Sequence, residues 1–338
     1  MTHVQVVPAS DPESIRLAAD IIRSGGLVAF PTETVYGLGA DALNPDAVAK
    51  IFEAKQRPSF DPLVVHIAER AAVDELVRHV SVQDDRLMES FWPGPLTLVL
   101  PKPAEVPDLV TAGLPTVAVR MPAHPAAQAL VREAGTPIAA PSANLFGCVS
   151  PTTAQHVPDG LGDKVDLIID GGPCLIGVES TIVSLEGAWP QLIRPGGISY
   201  EDLKAVIGPI ERPRNREGPP VSPGFLARYY ATRTPLSILP ARGARPPLFD
   251  DERVGLLAFS APVHLDGYRA VEVLSTSGDL QEAARNLFGA LRRLDALGLD
   301  RLYAEPCEER GLGVAIMDCL RRCAAPKTAR LSARGHAR

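Results

Sequence analysis

Hydroxyl and carboxyl side chains lie beside two glycines in a segment that follows a short apolar stretch of this 338-residue chain. The segment runs from Pro31 to Ala40 and reads PTETVYGLGA. Glycines let a ligand approach the backbone closely, and loops at strand ends commonly carry binding side chains. We therefore predict a binding corner that presents Thr34, although a glycine turn with hydroxyl caps explains the same pattern equally well.

Lys55 and Arg57 form a pair of cations where Pro58 ends a predicted helix. Two cations held in this way suit the phosphates of a nucleotide. Cations are also common at helix C-termini because they complement the helix dipole. His66 follows on an apolar strand, where it is either a ligand contact or a hydrogen-bonded core residue.

Polar side chains also follow several later apolar stretches. Arg120, near the end of TVAVRMP, suits either a substrate carboxylate or a salt bridge at the rim of a site. Ser142 and Asn144 follow another predicted strand. Ser150 is predicted to cap a helix beginning at Pro151, whose free backbone N–H groups would attract an anion. Ordinary turn and capping chemistry explains these positions too.

The motifs of several enzyme classes are absent from the sequence. It contains no Walker loop (GxxxxGK[ST]), no GxGxxG after a predicted strand, and no HExxH, GxSxG or CxxC. Dehydrogenase, serine hydrolase and zinc protease functions therefore lose their usual support. A set of cations and hydroxyls without a nucleophile is typical of adenylation, in which positioning and charge neutralisation dominate.

Local signals place these side chains on a mixed α/β unit. Asp11 and Asn44, each followed by proline, are predicted to start helices over 14–24 and 45–55. Short apolar stretches between turn residues predict the strands, and the last two of them predict a hairpin. Because strands and helices mix without a strict βαβ order, we predict an α/β domain with a partly antiparallel sheet over 1–207.

The rest of the sequence divides into three parts. Residues 208–250 are rich in Pro, Arg and Gly and predict a linker, although Phe225 and two tyrosines exceed what a spacer needs. Residues 251–330 read as strand, strand, helix, strand and helix, which predicts a small Rossmann-like α/β domain. Residues 331–338 form a basic tail that is either solvated or in contact with RNA.

Composition favours a cytoplasmic protein. The net charge of −6 argues against a dedicated RNA-binding module. No apolar run approaches the ~20 residues that cross a bilayer, and the N-terminus lacks the features of a secretory signal. The few scattered cysteines indicate a reducing compartment, and we expect Cys319 and Cys323 to be buried thiols rather than a zinc pair.

Five motifs occur in the order found in YrdC-type domains. They are PTETVYGLG, KxRPxxxPL with a following His, SAN…SPT, ESTIV and IRPG. A linker with SPG followed by Tyr, and the ending GLGVAIMDCLRRCA, resemble the long form of the threonylcarbamoyl-AMP synthase family. The resemblance spans nearly the whole chain. It implies a twisted mixed sheet around a basic cavity, followed by a C-terminal α/β/α domain.

The resemblance also implies a nucleotidyltransferase activity and a set of site residues. L-threonine and bicarbonate would form a carbamate that attacks the α-phosphate of ATP, and pyrophosphate would leave. Mg²⁺ would accompany ATP without a metal site of the protein's own, and a separate transferase complex would pass the threonylcarbamoyl group to tRNA. By motif position, threonine would contact Thr34, His66, Arg120, Ala140 and Ser180. ATP would contact Lys55, Arg57, Asp61, Thr116, Ser142, Asn144, Ser150, Arg194 and Tyr230. Among these, Lys55 and Arg57 would be the catalytic cations, and Tyr230 would close over the nucleotide as part of a linker lid.

Two positions depart from the family pattern. Asp61 stands where the family has Asn, and its carboxylate would repel phosphate unless it faces Mg²⁺ or pairs with Lys55 or Arg57. Tyr229 stands where a His is more usual. Two alternatives remain open: a carbamoyl-transfer enzyme built on the same domain, and a non-catalytic RNA-binding module.

Overall fold

The computed structural model describes residues 4–212, 229–246, 251–262 and 264–326. Within these ranges ten strands form one large sheet and four strands form a smaller one. No helix in these ranges is long and apolar enough to cross a membrane. Phe225, the SPG segment and the predicted basic tail lie outside the described residues.

The large sheet and its helices occupy residues 5–207. Its strands are β1 (Gln5–Pro8), β2 (Val28–Phe30), β3 (Gly37–Asp41), β4 (Val64–His66), β5 (Leu96–Pro101), β6 (Thr116–Arg120), β7 (Ile138–Ala139), β8 (Leu167–Asp170), β9 (Thr181–Ser184) and β10 (Gln191–Arg194). Its α-helices are α1 (Pro12–Arg23), α2 (Pro45–Lys55), α3 (Val82–Phe91), α4 (Asp108–Thr111), α5 (Pro125–Ala134), α6 (Pro158–Leu161) and α7 (Tyr200–Ile207).

Parallel and antiparallel pairs are mixed in this sheet, whose order is β1-β8-β2-β3-β7-β4-β6-β5-β9-β10. For example, β4 pairs with β6 in parallel, whereas β6 pairs with β5 in the antiparallel sense. β9 and β10 form the predicted antiparallel hairpin. The predicted mixed α/β fold is therefore confirmed.

Local capping chemistry explains where the first two long helices begin. The Asp11 side chain accepts a hydrogen bond from Glu13 N, and the Asn44 side chain accepts from Asp46 N and Ala47 N. In both helices proline occupies the first turn, where its missing N–H has no cost. Both predicted helix starts are therefore confirmed to within two residues.

The smaller sheet is parallel throughout, in the order β11-β14-β12-β13. Its elements are β11 (Leu236–Ile238), β12 (Val254–Ala258), β13 (Ala270–Val273), α8 (Leu280–Ala296), β14 (Arg301–Ala304) and α9 (Gly313–Ala324). The strand β11 lies inside the stretch predicted as linker, where it pairs with β14. The parallel order agrees with the predicted Rossmann-like arrangement.

A shared apolar cluster joins the two sheets. Val35, Val149 and Val178 from the N-terminal part pack in one buried cluster with residues of the smaller unit, including Tyr230 and Phe288. Val35 and Val149 lie next to Thr34 and Ser150, and Val178 lies two residues before Ser180, all three of which are predicted to bind substrates. The C-terminal unit therefore covers the outer side of the loops that form the candidate site.

Candidate active site

The carboxyl ends of several strands and the loops beside them surround a small cavity. It is lined by Thr32, Val35, Gly37, Arg57, Val64, His66, Arg120, Ala140, Pro141, Ser142, Glu179, Ser180, Arg194 and Tyr229. Predicted site residues from all five motifs or their direct partners therefore meet in one place. Among the predicted residues, the lining includes Arg57, His66, Arg120, Ala140, Ser142, Ser180 and Arg194.

Arg120 is held in a fixed orientation on the cavity wall. It ends β6 beside His66, its partner in β4. Its Nη1 donates to Thr34 Oγ1 at 2.9 Å, its Nε donates to Gly94 O at 3.3 Å, and its Nη2 lies 2.7 Å from Glu33 Oε1. This guanidinium is buried and preoriented, so it can bind a carboxylate without reorganising.

Glu33 is a site residue that the sequence analysis missed. It is only 5% exposed, and its carboxylate faces the Arg120 guanidinium. The signal available in the sequence was the single acidic residue within PTETVYG. An acidic residue there is equally consistent with a surface turn, and only the tertiary contact reveals the ion pair.

His66 faces the cavity as a neutral ring. Burial, together with the nearby Arg120 charge, lowers the pKa of His66 to about 3. Among the described residues its Nδ1 has no hydrogen-bond partner, and its ring packs edge-on against Phe30 at 6.0 Å. A neutral imidazole in this position can accept or donate one hydrogen bond to a ligand.

Arg57 and Asp61 form a buried ion pair at the opposite wall. Arg57 Nη2 lies 3.0 Å from Asp61 Oδ2. The Arg57 side chain also donates to the carbonyls of Asp61 and Pro62, at 3.0 and 2.6 Å, and its Nη1 lies 3.4 Å from the Tyr229 hydroxyl. Asp61 thus pairs with Arg57, one of the arrangements that removes its repulsion of phosphate.

Lys55 does not line the cavity. Its side chain is fully buried, and its Nζ donates to the backbone carbonyls of Ser142 and Asn144. Burial, with the neighbouring Arg57 charge, lowers the pKa of Lys55 to about 7. In this structure Lys55 supports the loop after β7 from behind, unlike its predicted role as a catalytic cation at the phosphates.

Asn144 also stabilises this loop. Its Nδ2 donates to the carbonyls of Leu145 and Cys148, both at 2.8 Å. Lys55 and Asn144 together fix the backbone that carries Ser142 into the cavity. This agrees with the loop-supporting half of the prediction for Asn144.

Ser150 does not begin a helix, contrary to the prediction. Its hydroxyl instead donates to Glu179 Oε1 at 2.8 Å. The chain continues from Pro151 without helical structure until a three-residue 3₁₀ turn, Ala154–His156. The hydroxyl that would have capped the helix is used by Glu179, so the predicted anion site at a helix start is absent at this position.

Ser180 and Arg194 complete the wall near Glu179. Arg194 donates from Nε to Ser180 O and from Nη2 to Ser180 Oγ, both at 3.0 Å. Arg194 Nη2 lies 3.8 Å from Glu179 Oε2, and Ser180 Oγ lies 2.8 Å from Thr97 Oγ1. The antiparallel pairing of β9 with β10 brings these side chains together.

The two linker tyrosines lie in different surroundings. Tyr229 lines the cavity, whereas Tyr230 is 1% exposed and packs against Phe288 in the core of the C-terminal unit. Tyr230 has a left-handed backbone with φ 60°, and its ring packs edge-on against the Tyr229 ring at 4.9 Å. Tyr230 therefore does not line the cavity, whereas Tyr229 does, and the closure of Tyr230 over the nucleotide stays a prediction.

Thr116 lies away from the cavity-lining residues. It begins β6, and Arg120 ends the same strand. Four residues of extended strand span about 13 Å. The structure therefore does not bring Thr116 to the wall where it places Arg120.

Carboxylates near the cavity each face an arginine. Glu33 faces Arg120, and Asp61 pairs with Arg57. Among the described residues no group of three or more His, Cys, Asp or Glu side chains is arranged to hold a metal ion. Cys319 and Cys323 are buried thiols, as expected.

Comparison with known proteins identifies related sequences over both units. The family profile described as telomere recombination (Sua5, YciO and YrdC) matches residues 20–196. A second profile, described as the threonylcarbamoyl-AMP synthase C-terminal domain, matches residues 198–325. The threonylcarbamoyl-AMP synthases of Pyrococcus abyssi and Bacillus subtilis are each 45% identical to this chain, covering 91% and 95% of it and 93% and 95% of their own lengths. A putative threonylcarbamoyl-AMP synthase of Mycobacterium tuberculosis is 39% identical and spans only 59% of this chain, but 93% of its own length.

The solved structures give the same result. The structure of P. abyssi Sua5 complexed with L-threonine superposes with a TM-score of 0.87 at 42% identity, covering 96% of this chain and 98% of that one. Escherichia coli YciO superposes with a TM-score of 0.53 at 28% identity, covering 58% of this chain and 96% of that one.

Proposed function

This chain belongs to the threonylcarbamoyl-AMP synthase family, and from that premise we propose that it makes threonylcarbamoyl-AMP and pyrophosphate from L-threonine, bicarbonate and ATP. The observation that carries the proposal is the preoriented Arg120, which lines the cavity with the neutral His66 and donates to the Thr34 hydroxyl. The P. abyssi relative with this fold has been solved with L-threonine bound. Because the reaction transfers the AMP group of ATP to the carbamate, the enzyme would be a nucleotidyltransferase.

The threonine half of the cavity follows from the chemistry of its wall. Arg120 binds the amino-acid carboxylate through N–H groups that its fixed contacts leave directed into the cavity. The Thr34 and Ser180 hydroxyls and the His66 ring provide hydrogen bonds for the remaining polar groups. Ala140 contributes a small apolar surface that leaves room for the substrate.

The ATP half adjoins the threonine half where Arg194 contacts Ser180. Arg57 and Arg194 provide the positive charge for the phosphates, and Ser142 provides a hydroxyl donor. The Ser150 hydroxyl donates to Glu179 here, so it would have to exchange that partner to contact ATP. Mg²⁺ bound with ATP would be held by phosphate oxygens and water, and it would reduce the negative charge on the phosphates. Tyr229 contacts Arg57 and closes this side of the cavity.

The reaction requires positioning and charge neutralisation more than it requires a protein nucleophile. The amine of threonine attacks the bicarbonate carbon and water leaves, which gives the N-carboxylate. One oxygen of this carbamate attacks the α-phosphorus of ATP as the bond to the pyrophosphate oxygen breaks. Both reactants carry negative charge, so buried arginines and a cavity that excludes water favour their approach.

The product carries an activated acyl group that water would destroy. We propose that a separate transferase complex receives it and acylates tRNA adenosine, in the cytoplasm. The acidic net charge does not favour direct contact of this chain with tRNA.

The test is pyrophosphate release from ATP in the presence of Mg²⁺, with threonine and bicarbonate each supplied or omitted. Release that requires both establishes the reaction. Release without threonine dependence would instead support a carbamoyl-transfer enzyme built on the same domain. Absence of any release, beside an active relative assayed in parallel, would support the non-catalytic alternative.

A further inference from the structure

The helix α8 of the C-terminal unit lies directly against a loop of the candidate site. A Cβ atom placed on Gly177 would lie 2.4 Å from Arg285 Cα and 2.6 Å from Ala284 O, so only glycine permits this approach. The Arg285 side chain also donates from Nε to Leu175 O at 3.0 Å. This loop leads directly to Glu179 and Ser180.

A second arginine of α8 contacts a different loop of the site. Arg292, two helical turns after Arg285, donates from Nη2 to Val149 O and from Nε to Ser150 O, the latter at 3.4 Å. Val149 and Ser150 are buried. Their carbonyls therefore depend on protein donors, because an unpaired buried carbonyl is costly.

The contact of Arg292 is continuous with the cavity. Ser150 donates through its hydroxyl to Glu179, which faces Arg194 on the cavity wall. Arg292 thus holds the backbone of a residue whose side chain belongs to the nucleotide half. Ser150 is therefore the one residue between the Arg292 guanidinium and the contact of Glu179 with Arg194.

We infer that Arg292 is a positioning residue for the nucleotide side of the site, and that the C-terminal unit completes that side by fixing Ser150. This inference rests on the proposed function, which assigns Ser150 to ATP. The planar fork of arginine matches two adjacent carbonyls, whereas the single ammonium of lysine does not. Within the described residues no hydrogen bond or ion pair joins Arg292 to Arg120, so we expect the effect to fall mainly on ATP.

The test compares Arg292→Ala and Arg292→Lys with Arg293→Ala in the full chain. Arg293 is the next residue of α8, is exposed, and pairs with Glu272 on the surface at 2.7 Å. Loss of a charge-assisted contact predicts that Arg292→Ala raises the KM for ATP about tenfold. The KM for threonine should stay unchanged, Arg292→Lys should lie between wild type and alanine, and Arg293→Ala should match wild type.

A double substitution separates positioning from general loss of structure. If Arg292 acts through Ser150, Arg292→Ala should have little further effect on the KM for ATP in a Ser150→Ala background. Equal rises in both KM values, or full additivity with Ser150→Ala, would overturn the inference. If the alanine variant does not fold, the lysine variant gives the same comparison.

Failure of this inference is distinguishable from failure of the proposed function. Wild-type enzyme that releases pyrophosphate normally, beside an Arg292→Ala variant with unchanged KM for ATP, refutes the inference alone. If the wild type releases no pyrophosphate, the proposed function fails, and calorimetric titration with ATP still measures the effect of Arg292. Equal ATP affinity of wild type and Arg292→Ala in that titration would refute the inference as well.

Discussion

Replacing Arg120 with methionine should change protein stability and threonine affinity by separate routes. The substitution leaves the Glu33 carboxylate, 5% exposed, without the guanidinium that lies 2.7 Å away. Breaking a buried ion pair by removing one partner costs about 3–5 kcal/mol, because the remaining charge is desolvated. We therefore expect the free energy of unfolding of Arg120→Met to fall by about 3–5 kcal/mol.

Adding Glu33→Gln to this variant should restore most of the stability. Neither position of this pair then carries a buried charge, and replacing both partners of a buried pair is often close to neutral for stability. Threonine affinity should not recover, because the guanidinium is still missing. Loss of a hydrogen bond to a charged group, worth about 1.5–3 kcal/mol, predicts that the Kd for threonine rises about 10- to 150-fold in both variants.

Tryptophan fluorescence in urea can follow the stability of the relevant unit alone. The chain has two tryptophans, Trp92 and Trp189, and both lie in the part of the chain that builds the large sheet. Calorimetric titration with L-threonine measures the second quantity. The control is the exposed pair Arg132 and Glu69, 2.6 Å apart in the same unit, whose replacement should change both quantities little.

Two results would contradict this reasoning. Wild-type threonine affinity in the double variant would show that Arg120 does not bind the carboxylate. A single variant as stable as the double variant would show that the Glu33 carboxylate is not held by this pair.

Three further substitutions test other parts of the site. Asp61→Asn removes the carboxylate paired with Arg57 at 3.0 Å. The KM for ATP should therefore fall severalfold in low-salt steady-state assays. An unchanged or higher KM would mean that Asp61 does not reduce the positive charge available to the phosphates. The pKa of His66 lies at about 3 in the folded chain, below its ordinary value of 6.5, so the unfolded chain binds the proton first as the pH falls. The free energy of unfolding should therefore decrease between pH 6.5 and 3, by up to about 1.4 kcal/mol per pH unit for this group. In urea unfolding, the free energy of unfolding of His66→Gln should fall less steeply with decreasing pH than that of the wild type. An identical pH dependence would exclude His66 as the cause of the decrease. Tyr229→Phe removes the hydroxyl near Arg57, so it should raise the KM for ATP with little change in Tm. The matched Tyr230→Phe should leave the kinetic constants unchanged. The reverse pattern would support Tyr230 as the residue that closes the site.

Much of the fold could be predicted because its signals are local. Asn44 followed by proline sets the start of α2 through hydrogen bonds within a single turn. β11 was not predicted, because three residues within a Pro-rich stretch carry no periodic pattern. Its strand conformation depends on pairing with β14, about 65 residues later in the chain.

The same distinction separates what could be predicted of the site. Ordered motifs placed Arg57, Arg120 and Ser180 correctly at one cavity, because strand ends at one edge of a sheet meet. The motifs did not reveal that Lys55 turns towards backbone carbonyls, since that direction depends on a loop almost 90 residues away. The left-handed backbone of Tyr230 likewise depends on the core it enters.

The three valines covered by the C-terminal unit bear on how domain architecture can change during evolution. Val35, Val149 and Val178 are each under 6% exposed, and they pack in one cluster with residues of the smaller unit. A chain that lost that unit would expose an apolar surface beside its own active site and would tend to self-associate. We therefore expect single-unit relatives, such as the M. tuberculosis protein that spans 59% of this chain, to carry polar residues at these positions or to bury them in an oligomer. Gain or loss of the second unit is thus coupled to substitutions in the first, and the two units do not evolve as interchangeable modules.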